Sequence, residues 1–202
     1  MANGQNSLSE EQIFRLMKHL ESRCASVTAG LRDYLIVSIM LQAGLRLGEA
    51  MQLTIEDVML EEVPQEAISL PGHITKTGKP RSVPMCKALK GALIAYVKDW
   101  NQFKSYRTGL LFPGGLRPGV PITHRAVQKM LEKESLICLG ISVHPHQLRH
   151  TFASRMMKIT HLRNVQELLG HSSVRSTQIY THPDQEDLKK AAVALDGLNK
   201  GL

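Results

Sequence analysis

The chain has 202 residues, 43% hydrophobic and 21% charged, the balance of a folded domain and not of a disordered segment. No window approaches the roughly 20 consecutive apolar residues of a membrane span. The opening "MANGQNSLSEEQ" lacks the basic-then-apolar layout of a signal peptide, and Cys24, Cys86 and Cys138 are too few and too scattered for a disulfide framework, which points to free thiols in a reducing compartment. The net charge of +7 favours a polyanionic partner, nucleic acid first and an anionic membrane surface second.

In chain order, Ser9 with Gln12 three residues on is a capping box. It opens a helix whose apolar stripe is Ile13, Leu16, Met17 and Leu20. A second helix, from about Leu31 to Ala43, is apolar on nearly every side and therefore central; it contains the run "YLIVSIML", and Gly44 ends it. "RLGEAMQL" begins a short helix, and Thr54 can cap a further turn. From Ala67 to Met85 the pattern becomes short and alternating, broken at Pro71-Gly72 and Thr77-Gly78, which predicts a small antiparallel sheet with a tight turn at Lys76 to Lys79. Helix returns at about Lys87 to Trp100, with Leu89, Leu93, Tyr96 and Trp100 on one face. "FPGGLRPGVP", Phe112 to Pro121, reads as a surface loop. Thr123 caps a helix reaching toward Leu139, and helices follow at about Pro145 to Lys158 and Leu162 to Leu169, the last closed by Gly170. The segment from Asp184 to Leu198 is amphipathic, with Leu188, Ala191, Ala192, Leu195 and Leu198 on one side. The fold class is α+β, mainly α, a single domain with one small antiparallel sheet and no internal repeat or linker.

Several polar groups stand out within these elements. "AGLRLGEA" sets Arg46 after a helix end with Glu49 three residues on, an ordinary ion pair if taken alone. "TKTGKPR" sets Lys76 on a turn, with Lys79 and Arg81 beside it as solvated charges that blunt a sheet edge. "HPHQLRH" holds His144, His146, Arg149 and His150; His146 and Arg149 share a helix face. Two histidines at that spacing can share zinc, but no Cys, Asp or Glu nearby completes the ligand set, and the arginine repels a cation. "LLGHSSVRSTQIYTH" puts His171 just past a helix end and Tyr180 nine residues later. Together two arginines, a lysine and two histidines supply what surrounds a phosphodiester. Arginine forks grip two oxygens at once, histidines move protons near neutral pH, a lysine protonates a leaving oxygen, and a tyrosine attacks as nucleophile. With no acidic pair for a divalent metal, the cations themselves must offset the charge.

The order Arg46, Lys76, His146 with Arg149, His171, Tyr180 resembles the tyrosine recombinase (phage integrase) family. "AGLRLGEA" is similar to its first arginine box, "TKTGKPRSVPM" to its lysine hairpin, "HPHQLRHTFAS" to its His-x-x-Arg box and "LLGHSSVRSTQIYTH" to the box holding the second histidine and the tyrosine. The likeness runs from about Ser9 to His182. It implies a site-specific DNA recombinase catalytic domain. Tyr180 would form a 3′-phosphotyrosyl link to double-stranded DNA and free a 5′-hydroxyl. Arg46, Arg149 and His171 would hold the phosphate, Lys76 would act as general acid, and His146 as general base or a further phosphate contact. Glu49 and His150 would support them. No metal, cofactor or ATP is implied, since the partner strand's 5′-hydroxyl reverses the step. The family acts as a tetramer on DNA, which implies that the amphipathic segment at 183–202 docks on a neighbouring subunit, and it implies a cytoplasmic, nucleoid-associated place without membrane contact.

The chain departs from the family pattern at two points. The N-terminal core-binding domain that closes the clamp is absent from the sequence, as in a fragment or a naturally short recombinase. The lysine turn reads "TKTGK" where glycine-lysine-glycine is commoner, so Lys79 stands as a substitute for Lys76. Two further readings share the resemblance: a DNA-binding protein with little catalysis, and a type IB topoisomerase-like nicking-closing enzyme.

Overall fold

A computed structural model describes residues 7–25, 28–101, 109–114 and 120–170. Helix α1 spans Glu10–Cys24. Its capping box forms as read, the Ser9 hydroxyl accepting from the Gln12 amide at 3.2 Å and the Gln12 side chain from the Ser9 amide at 2.9 Å. Ile13, Leu16 and Leu20 are buried, with Met17 half-buried beside them.

Helix α2 (Thr28–Gln42) is the central element, as its all-round apolarity demanded. One side, with Leu35, Ile36 and Ile39, joins the larger core; another, with Val37, Met40 and Leu41, joins a second core under α1. A helix packed on both sides needs no polar face, which is why periodicity is weak there. It packs against α1, α4 and α6. It ends at Gly44, whose φ of +64° is left-handed, the region glycine enters without a Cβ penalty. A Cβ there would also lie 2.2 Å from the Phe152 ring.

The short helix α3 (Leu47–Ala50) follows at once, and then β1 (Met59–Leu60) and β2 (Val63–Pro64) pair antiparallel. This second small sheet corrects the expectation of one. Its turn is Glu61-Glu62, with φ of +49° and +68°. Both residues are left-handed without glycine or asparagine, so the usual hairpin signal is missing from the sequence. The expected sheet does form, from β3 (Ala67–Leu70) and β4 (Arg81–Pro84), with Ile68 opposite Val83 and Leu70 opposite Arg81. Its connection holds a tight turn about where the sequence puts it, the Gly78 amide donating to the Thr75 carbonyl at 3.2 Å across Lys76 and Thr77. It runs through a 3₁₀ turn at Gly72–Ile74, and the Thr75 hydroxyl donates to the carbonyls of Gly72 (3.0 Å) and Lys79 (2.8 Å).

Helix α4 (Lys87–Asn101) buries Leu89, Leu93 and Tyr96, and the Tyr96 hydroxyl donates to the Leu111 carbonyl at 3.0 Å. The Trp100 side chain lies outside the described residues. The ends of the presumed surface loop are structured: Phe112 is fully buried, and Pro113 bridges to Pro121. Helices α5 (His124–Leu139), α6 (Pro145–Met157) and α7 (Leu162–Leu169) fall where the sequence puts them, with Gly140 and Gly170 left-handed at two C-termini. Phe152, Ala153, Val165 and Leu169 seat α7 on α6. All three cysteines are free thiols. Among the described residues no helix is long and apolar enough to cross a membrane.

Away from these cores, a polar network joins α1, α2 and α5. Buried Glu134 accepts from His19 at 2.8 Å and pairs with Arg23 at 3.1 Å, while buried Asp33 pairs with Arg32 at 2.8 Å and Arg23 at 3.5 Å. Each carboxylate is matched by a cation, which is the condition for burying it.

Gly44→Ala is expected to lower unfolding free energy by about 2–4 kcal/mol, combining the left-handed penalty with the clash against Phe152. Equilibrium denaturant unfolding of the two proteins checks this; a loss below about 0.5 kcal/mol would contradict it.

Candidate active site

The site grows out of a helix end. Because Gly44 turns the chain sharply, Arg46 lands at the N-terminus of α3, and its backbone amide donates to Glu49 Oε2 at 2.8 Å while Nη1 reaches Oε1 at 3.0 Å. Glu49 is buried, 2% exposed. From β4, Arg81 meets it with both fork nitrogens, Nη1 to Oε1 at 2.9 Å and Nη2 to Oε2 at 2.8 Å. From α6, Arg149 Nη1 stands 3.9 Å from Oε2. Burial opposes the charged carboxylate, but the hydrogen bonds from Arg81 and the Arg46 amide outweigh it, helped by the charges of Arg81 and Arg149, and hold the carboxyl below its ordinary range.

Arg149 is 5% exposed. Its Nη1 donates to the Gly44 carbonyl and its Nη2 to the Leu169 carbonyl at 2.6 Å. The guanidinium therefore sits where the ends of α2 and α7 both present backbone acceptors, the electronegative ends of two helices.

These side chains open on a cleft of about 610 Å³ lined by Arg46, Glu49, Lys76, His146 and Arg149 among others. Four of the six expected catalytic positions are thus brought together, with Glu49 behind them. His171 and Tyr180 lie outside the described residues, as does the amphipathic segment at 183–202. Lys76 and His146 are both exposed, able to approach a ligand. Lys79 does not line this cleft; it lines an adjoining one of about 940 Å³ shared with Arg46, Lys76 and Arg81. His150 is half-buried beside the cleft and is not among its lining residues. Burial, with His146 and Arg149 nearby, pushes its pKa below the ordinary value. Among the described residues no group of three His, Cys, Asp or Glu side chains is disposed to hold a metal ion.

Sequence reasoning missed two contributions. Arg81 is no solvated edge charge: its side chain is 10% exposed and turned into the Glu49 cluster. Arg81 lies two residues from buried Val83 and shares its inward face, but a four-residue strand is too short for alternation to tell a paired charge from a solvated one. His124, Arg125 and Gln128 of α5 also line the cleft. Two basic residues in a first turn run against the helix dipole, a placement that an anion facing the turn would relieve. The cleft can do one thing well: hold an anion between arginine forks and helix N-termini, beside an exposed amine and an imidazole.

Acidification should weaken the fold in two stages. His150, with its folded pKa depressed, contributes stability above its ordinary value of 6.5 that is lost as pH falls through the folded pKa. Glu49, also depressed, contributes above its ordinary 4.5 and is lost only further down. Thermal melts of the chain and of His150→Gln between pH 7 and 5 should therefore converge as the pH falls, if the variant folds; parallel curves would contradict the assignment.

Comparisons with known proteins bear on the family and the fold. The XerC tyrosine recombinase of Xanthomonas campestris pv. campestris (strain B100) is 40% identical over 164 residues, 80% of this chain and 47% of that protein. The crystal structure of XerA recombinase superposes with a TM-score of 0.72 at 31% identity, covering 93% of this chain and 62% of that one. XerH recombinase, solved on its difH substrate before cleavage, gives a TM-score of 0.75 at 27% identity, with 93% of this chain and 53% of that one covered. The chain spans about half the length of the curated relatives it matches. Residues 6–187 match the phage integrase family, and the chain belongs to that family.

Proposed function

We propose that the chain is the catalytic domain of a site-specific tyrosine recombinase that breaks and rejoins double-stranded DNA through Tyr180. The observation that carries this reading is the convergence of Arg46, Lys76, His146 and Arg149 on one cleft. Its support outside the site is the family match and the relatives named as tyrosine recombinases.

In the proposed step a scissile phosphodiester lies between the Arg46 and Arg149 forks. The Tyr180 phenol oxygen attacks phosphorus, its proton passing to His146. The bond to the 5′-oxygen breaks, and Lys76 supplies the proton that makes a free 5′-hydroxyl. The product is a 3′-phosphotyrosyl ester, and attack by a partner strand's 5′-hydroxyl returns the enzyme. One negative charge becomes two on the pentacoordinate phosphorane, and fixed guanidinium groups favour that state over the ground state. His171 joins the phosphate contacts. Because the ester conserves bond energy, the cycle calls for neither metal nor ATP. Lys76 takes the general-acid role ahead of Lys79 because it lines the cleft. Assembly on DNA is proposed as a tetramer, with Leu188, Leu195 and Leu198 of the amphipathic segment contacting a neighbour and the complex residing in the cytoplasm on the nucleoid.

The test is a pool of short nicked duplexes, randomised at the centre, incubated with the full chain and screened for adducts that survive SDS. Adducts are expected, in EDTA as well, and Tyr180→Phe should abolish them. Retarded DNA without adducts would leave a binding protein; adducts without two-site strand exchange would leave a nicking-closing enzyme.

Lys76→Ala should lower cleavage of ordinary DNA by about 100-fold or more. A substrate with sulfur at the bridging 5′ position should restore it, because a thiolate leaves without a proton. If Lys79→Ala shows that rescue instead, the general acid is Lys79.

A further inference from the structure

Arg81 has no place in the step just described, yet all of its fork is engaged within the cluster. Its fork closes on both oxygens of Glu49, and its Nε donates to the Leu168 carbonyl at 3.2 Å. Among the described residues it is the one joining the Glu49 cluster from the sheet. Gly170 lies against it, since a Cβ there would stand 3.1 Å from Arg81 Cδ and Nη1.

We propose that Arg81 is a positioning residue that holds Glu49 in register with Arg46 and Arg149 and, through Leu168, ties the C-terminal end of α7 to the same node. The inference rests on the reading of Tyr180 as nucleophile, because α7 is the last described helix before that residue in the sequence. The argument is one of valence. A carboxylate offers about four acceptor positions. Arg81 occupies two, and the Arg46 amide and Nη1 take the others. With its positions filled, Glu49 draws Arg149 no closer than 3.9 Å and engages only Nη1 of the Arg46 fork. Remove Arg81 and two acceptor positions open in a buried anion, which the adjacent arginines then turn to fill. They would do so at the expense of the phosphate between them. At the other end, Leu168 and Leu169 offer successive carbonyls, the first to Arg81 and the second to Arg149. The end of α7 is thus registered to both arginines at once.

The experiment uses the full chain and a nicked duplex selected as above, in single turnover at saturating DNA. Arg81→Gln is expected to bind DNA within about 3-fold of wild type and to form adduct roughly 10–100-fold more slowly, as misplacement of reacting groups does. Reading the rate constant separately from the adduct amplitude removes any effect of a smaller folded fraction. Arg81→Lys, which keeps a charge but not the fork, should fall between the two. Glu49→Gln combined with Arg81→Gln should be no slower than Glu49→Gln alone, since the pair acts as one unit. Additive losses, or an unchanged rate constant with weakened binding, would overturn the inference. Absence of adduct from the wild-type chain would overturn the functional reading instead. In that case hydrogen exchange across residues 162–170 still decides on Arg81, faster exchange in Arg81→Gln supporting the tether and equal exchange removing it.

Discussion

One buried carboxylate organises the site. Glu49 is 2% exposed and meets arginines from three separate parts of the chain, the start of α3, strand β4 and helix α6. Three like charges would not share so small a volume without it, and a carboxylate would not stay ionised there without them. The cluster is therefore mutually enforced, with two positive charges left over once the carboxylate is counted. Under the proposed function, that residual charge would suit a doubly charged phosphorane better than a singly charged diester. The sheet, the α2 terminus and the HPHQLRH helix are arranged around this node, and their distances in sequence show how little of it is local.

The backbone supports the same cluster. Arg149 takes carbonyls from the ends of α2 and α7, and the left-handed residues Gly44 and Gly170 are what leave those carbonyls pointing at a guanidinium. Helix N-termini contribute from the other side, since His144, Pro145 and His146 at the start of α6 and His124 and Arg125 at the start of α5 border the cleft. An anion there meets the positive ends of helices while the arginines behind it rest on the negative ends of others. Orientation is thus built into secondary structure and does not depend on long flexible side chains alone.

How much of this was legible in the sequence follows from range. Capping at Ser9 and Thr123, and glycine stops at Gly44 and Gly170, are local chemistry and could be read directly. Helix α2 was legible as central because apolarity on all sides has one physical meaning. The three boxes around Arg46, Lys76 and the His146–Arg149 pair named residues that line the cleft because their order and spacing are specific, although each was weak alone. Arg81 was not legible as a buried partner. Its meaning depends on Glu49, far off in the chain, and a charge next to a lysine turn looks the same whether it faces water or a carboxylate. The Glu61-Glu62 hairpin was hidden for the opposite reason: it is local but uses residues that sterics disfavour.

That hairpin is also an engineering handle. Two glutamates held in the left-handed region each sacrifice about 1 kcal/mol that an asparagine-glycine turn would keep. The turn joins β1 and β2, and none of its residues lines the arginine cleft. Stability can therefore be raised at the hairpin while the chemistry is left alone, which supplies headroom for variants that weaken the cluster itself.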